Sequence, residues 1–180
     1  MSDDASEPPR DETPPPAAPL PRKKAAHLYL YVDGASSGNP GPCGAAAILK
    51  DDRGETLLEK ARAFGPATNN VAEYQALILG LEMATQIMPR LLTIRSDSQL
   101  LVRQLAGEYR IKATNLKGLY NQVRRMLAPL EAVEIEHIPR TENTEADRLA
   151  KKACLKAKDL NASLPPDARK TGPGKTYRLK

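Results

Sequence analysis

Four acidic residues, Asp33, Glu73, Asp97 and Asp147, each sit where the residue pattern ends a strand or opens a helix. A single carboxylate at such a place is ordinary in an α/β protein. Four that converge on one point repel one another unless cations stand among them. Hard divalent ions such as Mg²⁺ take oxygen ligands of this kind, and a pair of them can stabilise both the attacking and the leaving oxygen of a displacement at phosphorus. The chemistry implied is metal-dependent cleavage of a phosphodiester.

Each acid has a structural reading when taken alone. Asp33 lies in YVDGASSGNPGPCG, where Asp before Gly is a common turn, but Ser36, Gly38, Asn39, Pro40 and Gly41 add exposed amides and an Asn side chain suited to gripping sugar and phosphate. Glu73 lies in ATNNVAEYQALILGL, which reads as the first turn of a helix, where the dipole favours an anion; Thr68, Asn69 and Asn70 before it are good N-caps, yet one helix needs only one. Asp97, in IRSDSQ, ends a strand just before Ser98 and Gln99 open a helix, so it is either a cap or a ligand at the carboxyl end of the sheet. Asp147, in TENTEADRLAKKA, has capping-box spacing from Thr144.

The elements that must position these residues are legible. HLYLYVD (27–33), GAAAILKD (44–51) and ETLLEKARAF (55–64) are β-rich runs separated by turns, which predicts an antiparallel meander. Val71, Tyr74, Leu77, Ile78, Leu81 and Met88 recur at helical spacing and predict an amphipathic helix from Asn69 to Met88, stopped by Pro89. LLTIRSD (91–97) is a short buried strand, SQLLVRQLAG a helix closed by Gly107, 115–127 a further helix, AVEIEHI (132–138) a strand, and 144–158 a last helix. The prediction is an α/β fold: a mixed five-stranded sheet, three antiparallel strands then two parallel, flanked by helices.

The 180 residues, 41% of them hydrophobic, suffice for one domain with a core. We assign it to 26–158. Residues 1–25 hold seven of the sixteen prolines and few large apolar side chains, and read as a disordered tail; 159–180 read as a basic flexible tail. A net charge of +5 favours a polyanionic partner without requiring one. Cys43 and Cys154 form no metal or redox motif and read as reduced and structural. The N-terminal residues lack the basic start and apolar run of a secretory signal, and no segment has membrane-spanning length, so the expectation is a cytoplasmic monomer that makes no contact with membranes.

Together, DGASSGNPGPCG, TNNVAEYQAL, SDSQ and HIPRTENTEADRLAKKA resemble, in order and spacing, the ribonuclease H type 1 family over residues 27–157. The resemblance implies a ribonuclease H-like fold and an endonuclease that hydrolyses the RNA strand of RNA–DNA hybrids, leaving a 3′-hydroxyl and a 5′-phosphate. It implies two Mg²⁺ ions, with Mn²⁺ a possible substitute, on Asp33, Glu73, Asp97 and Asp147, with Asp33 between them. Asn39, Asn69, Asn70 and Gln99, with Thr68, match substrate contacts around the minor groove, where the RNA 2′-hydroxyl distinguishes the strands. Lys112, Lys117, Arg124 and Arg125 add positive charge around the third helix.

The chain departs from the family in two places. Many members carry a glycine-rich loop with a His shortly before the last Asp; here the segment is HIPRTENTEAD, shorter and without glycine. His137 has a tempting separation from Asp147 but reads as a strand residue, so Arg140, in the loop, is the better candidate to take that place by holding phosphate, with Asn143 positioning the loop. The stretch 107–117 is also too short for the additional basic helix of some members. The alternatives are double-stranded RNA as a further substrate, and a nucleic-acid-binding module without activity.

Overall fold

The computed structural model describes residues 27–163, so the proline-rich stretch 1–25 and the basic segment from 164 onward lie outside the described residues. Strands β1 (His27–Ser36), β2 (Gly41–Lys50) and β3 (Thr56–Ala67) form the antiparallel meander. Helix α1 (Asn69–Ile87) crosses to β4 (Leu91–Ser96), which lies parallel to β1, and helices α2 (Gln99–Leu105) and α3 (Thr114–Leu127) lead to β5 (Val133–His137), parallel to β4. A single 3₁₀ turn (Arg140–Glu142) precedes the last helix, α4 (Thr144–Ala162). The strand order is β3-β2-β1-β4-β5, the mixed sheet the sequence predicts.

Side-chain alternation along the central strands gives the sheet two different faces. Leu28, Leu30 and Val32 of β1, with Ala45, Ala47 and Leu49 of β2, pack in the large core with α1 and α3. Here α1 departs from the amphipathic prediction: Leu77, Ile78, Leu79 and Leu81 are all buried, because α3 covers the face that a surface helix would turn to water. The helix ends at Met88, a left-handed residue whose N–H still reaches Ala84 O.

The opposite face is built for close approach. Ala146, Ala150, Ala153 and Ala157 make a buried small-residue stripe along α4, and Gly44 of β2 lies beneath it. A Cβ on Gly44 would stand 2.2 Å from Ala150 O and 2.3 Å from Cys154 N, so only glycine admits the helix at this depth. Both cysteines are free and buried. α4 runs four residues past Lys158, where the sequence suggested a loose tail, because Ala157 and Leu160 still face Ala63 and Phe64 of β3 across a groove. Among the described residues no helix is long and apolar enough to cross a membrane.

Candidate active site

The four acids arrive on four elements, and each is placed by a local feature. Asp33 is not at a strand end: β1 continues to Ser36, because the small residues Gly34 and Ala35 go on pairing with Ala45 and Gly44. Gly34 also sets the approach of α1, since a Cβ there would lie 2.3 Å from Glu73 N. That contact carries Glu73 against β1. With α1 beginning at Asn69, Glu73 stands beyond the first turn, so burial rather than the helix terminus governs its charge.

Asp97 follows β4 and is free of capping duty. Ser96 Oγ accepts the Ser98 N–H at 3.1 Å, and Ser98 Oγ caps α2 by accepting the Leu101 N–H. The capping-box reading of Thr144 and Asp147 does not hold either. Asn143 occupies the N-cap position of α4 and Thr144 is already helical, so the Asp147 side chain is available for ion pairs. Its two oxygens meet Arg140 Nη2 and Lys151 Nζ, each at 2.7 Å.

Asp33, Glu73, Asp97 and Asp147 line one cavity of about 500 Å³, together with Asn69, Arg140 and Lys151. Asp33 and Glu73 are each only 6% exposed. Burial, then the charges of Asp97 and Asp147, pushes the Asp33 carboxyl up to about 7, against a smaller opposing effect of Arg140 and Lys151. Burial, then Asp33 and Asp97, pushes Glu73 up to about 9, which the Gly34 backbone amide and Asn69 only partly offset. Burial also works to raise Asp147, but hydrogen bonds from Lys151 and Arg140 prevail and hold it below the ordinary value.

Glu73 Oε2 is buried with no hydrogen-bond partner. An orphaned carboxylate oxygen beside mutually repelling acids is the electrostatic deficit that a divalent cation fills, so the residues present fit a hard metal ion. The carboxylates do not form a ready coordination shell in this conformation: among the described residues no group of three or more His, Cys, Asp or Glu is gathered closely enough to hold an ion. Asp147 is engaged by two cations, and Asp97 Oδ1 accepts from Asn143 Nδ2 at 2.7 Å.

The other expected residues divide. Arg140 and Asn69 line the cavity. Asn39, on the exposed β1–β2 turn, accepts the Asn69 N–H at 3.3 Å, which ties that turn to the start of α1. Asn69 and Asn70 are the first residues of α1, which begins where the sequence predicts, and Thr68 spends its hydroxyl capping that helix. Asn70 looks into a separate groove with Gln104, Tyr109, Arg110 and Lys112. Gln99 is exposed at the start of α2. His137 ends β5, outside the cavity lining, with its Nε2 3.3 Å from Asp97 O. Asn143 is 1% exposed and bonded inward. Lys117, Arg124 and Arg125 are exposed on α3.

Lys151, within the last predicted helix, was not singled out by the sequence. The available signal was its position four residues after Asp147 on one helix, a spacing that places the two side chains together.

A reverse transcriptase-like family model matches residues 31–153. The bifunctional protein Rv2228c of Mycobacterium tuberculosis is 39% identical over 127 residues, which cover 70% of this chain and 35% of that protein. The chain thus matches about a third of that relative's length. The crystal structure of RNase H1 from Halobacterium salinarum has a TM-score of 0.70 at 37% identity, covering 73% of this chain and 100% of the archaeal one. LC11-RNase H1, solved in complex with an RNA/DNA hybrid, has a TM-score of 0.69 at 36% identity, covering 73% of this chain and 99% of its own. With its fold, the order of its acids and these likenesses in agreement, the chain belongs to the ribonuclease H type 1 family.

Proposed function

We propose that this protein is an endoribonuclease that hydrolyses the RNA strand of RNA–DNA hybrids, with two Mg²⁺ ions held by Asp33, Glu73, Asp97 and Asp147. The observation that carries the reading is the meeting of these four side chains in one cavity, two of them buried far above the usual carboxylate range and one with an oxygen left unpartnered. Divalent cations at such a site supply charge neutralisation, activation of water and stabilisation of the leaving oxygen. Mn²⁺ has the same preference for oxygen donors and serves as a substitute.

The chain's own residues have separate tasks. Asp33 and Glu73 lose their protons when the site is loaded, which ties binding to pH. Asn69 stands in the cavity beside Glu73, with its Nδ2 3.5 Å from Glu73 Oε1, and presents an amide to the ribose; Asn39, bonded to its backbone, steadies the turn that faces the same strand. Arg140 and Lys151, which pair with Asp147 here, would be free to hold the substrate phosphate if a cation took their place. Arginine holds its proton throughout, so Arg140 acts by charge and hydrogen bonding and not as a proton shuttle. No protein nucleophile is required, and the products carry a 3′-hydroxyl and a 5′-phosphate.

Hybrid recognition on this reading is of backbone and shape. One Phe, six Tyr and no Trp give little stacking surface for single strands, whereas Asn70, Arg110 and Lys112 line a second groove beyond α1 that suits the partner strand's phosphates. The free, buried cysteines suit a reducing compartment, and we take the protein to act in the cytoplasm as a monomer.

The test is cleavage of end-labelled RNA–DNA hybrid, double-stranded RNA and double-stranded DNA by the full chain, with Mg²⁺, with chelator, and with Asp33→Asn. Hybrid cleavage that disappears in the chelator and variant lanes is expected, and the RNA-duplex lane defines its breadth. An intact hybrid that nevertheless binds the protein in Mg²⁺ or Mn²⁺ would replace the enzyme with a binding module.

A further inference from the structure

Asn143 has an unusual set of contacts for a residue at a helix N-cap. An Asn at an N-cap ordinarily turns its side chain onto a backbone N–H of the first turn. Here it makes no cap bond. Its Nδ2 instead donates to Val32 O at 3.0 Å and to Asp97 Oδ1 at 2.7 Å, reaching 111 and 46 residues back along the chain. Its backbone carbonyl accepts the Asp147 N–H at 3.0 Å.

One residue therefore touches the neighbour of Asp33, the carboxylate of Asp97 and the backbone of Asp147. It does so at a cost to the fold. The helix forgoes its side-chain cap, and Asn143 Oδ1 is left buried with no partner in a residue 1% exposed. A residue chosen for stability alone would cap the helix and leave no such orphan. The amide is also the right group for the task. It is a neutral donor, so it can orient a carboxylate by one oxygen without competing for a cation, and it leaves the other oxygen free.

We propose that Asn143 is the positioning residue of the carboxylate cluster: it fixes the Asp97 carboxylate and locks its spacing to Asp33 and Asp147. This rests on the assignment of these acids as metal ligands. Asn143 does not line the cavity that the acids share; it acts through Asp97.

Asn143→Ser and Asn143→Thr decide between positioning and capping, since both are neutral N-caps while neither single hydroxyl can donate to both Val32 O and Asp97. In the full chain, calorimetric Mg²⁺ affinity should fall about 10- to 100-fold in both, with a matching fall in kcat. KM for hybrid and the melting temperature in chelator should stay close to those of the unmodified protein. Mg²⁺ affinity that stays within about threefold of the unmodified protein in folded variants, or that falls only in proportion to lost folded protein, would overturn the proposal.

Should the variants not fold, the unmodified chain provides the answer: the Asn143 side-chain amide resonance must move on Mg²⁺ titration, and a resonance that stays still rejects the role. A chain that binds Mg²⁺ yet cleaves no hybrid sinks the ribonuclease reading while leaving Asn143 to be judged on the titration alone.

Discussion

Replacing Glu73 with glutamine should stabilise the metal-free protein at neutral and alkaline pH while abolishing metal-dependent hydrolysis. Glu73 is 6% exposed, its Oε2 has no partner, and burial followed by repulsion from Asp33 and Asp97 pushes its carboxyl from 4.5 up to about 9. The folded state holds this proton more tightly than the unfolded chain. The stability it contributes is therefore fully present below the unfolded value, declines as pH rises, and is gone above the folded value. At about 1.4 kcal/mol for each pH unit above the unfolded value, the loss at neutral pH is on the order of 3 kcal/mol.

Glutamine has the same length and no charge at any pH, so it escapes this loss. A domain of this size has about two to five times that much stability in total, on the order of 5–15 kcal/mol, which makes the effect measurable by urea unfolding in chelator. The stability of the variant relative to the unmodified protein should rise by about 4 kcal/mol between about pH 5 and about pH 8. With Mg²⁺ the advantage should shrink or reverse, because a cation that binds only the folded state stabilises the unmodified chain more. A gap between the two proteins that is the same at both pH values would refute the electrostatic account of this site.

Two further outcomes follow from the packing and the ion pairs. Gly44→Ala puts a Cβ 2.2 Å from Ala150 O, so α4 must lift from β2; a loss of about 1–3 kcal/mol in urea unfolding is expected, with a fall in hydrolysis because α4 carries Asp147. Lys151→Ala removes one of the two cations that occupy Asp147, so Mg²⁺ affinity by calorimetry should rise about two- to fivefold while KM for hybrid increases, the modest size reflecting an exposed pair.

The sheet was legible because its strands differ in kind. The alternation of HLYLYVD and the apolar run of LLTIRSD state their burial in residue types, and turn residues separate them. Boundaries were less legible where small residues extend an element without a hydrophobic signal, as in Gly34–Ser36 of β1 and Asp159–Ala162 of α4. The character of α1 was misread for another reason: whether a helix face meets water depends on α3, which lies beyond it in sequence and on top of it in space.

By itself the sequence determined which carboxylates exist, their order along the chain and the elements that carry them, since those follow from local residue types and periodicity. Only the tertiary structure decided what each does with its charge. Asp33 and Glu73 keep their protons to higher pH than an ordinary carboxyl because distant elements bury them together, Asp147 ionises more readily because Arg140 and Lys151 flank it, and His137 falls outside the cavity that Arg140 enters. Asn143 reads in the sequence as a residue that positions its loop, and becomes the tie between β1, Asp97 and α4 only when residues 111 and 46 positions away are folded against it. Desolvation and Coulomb interactions depend on distance in space, which local sequence does not encode.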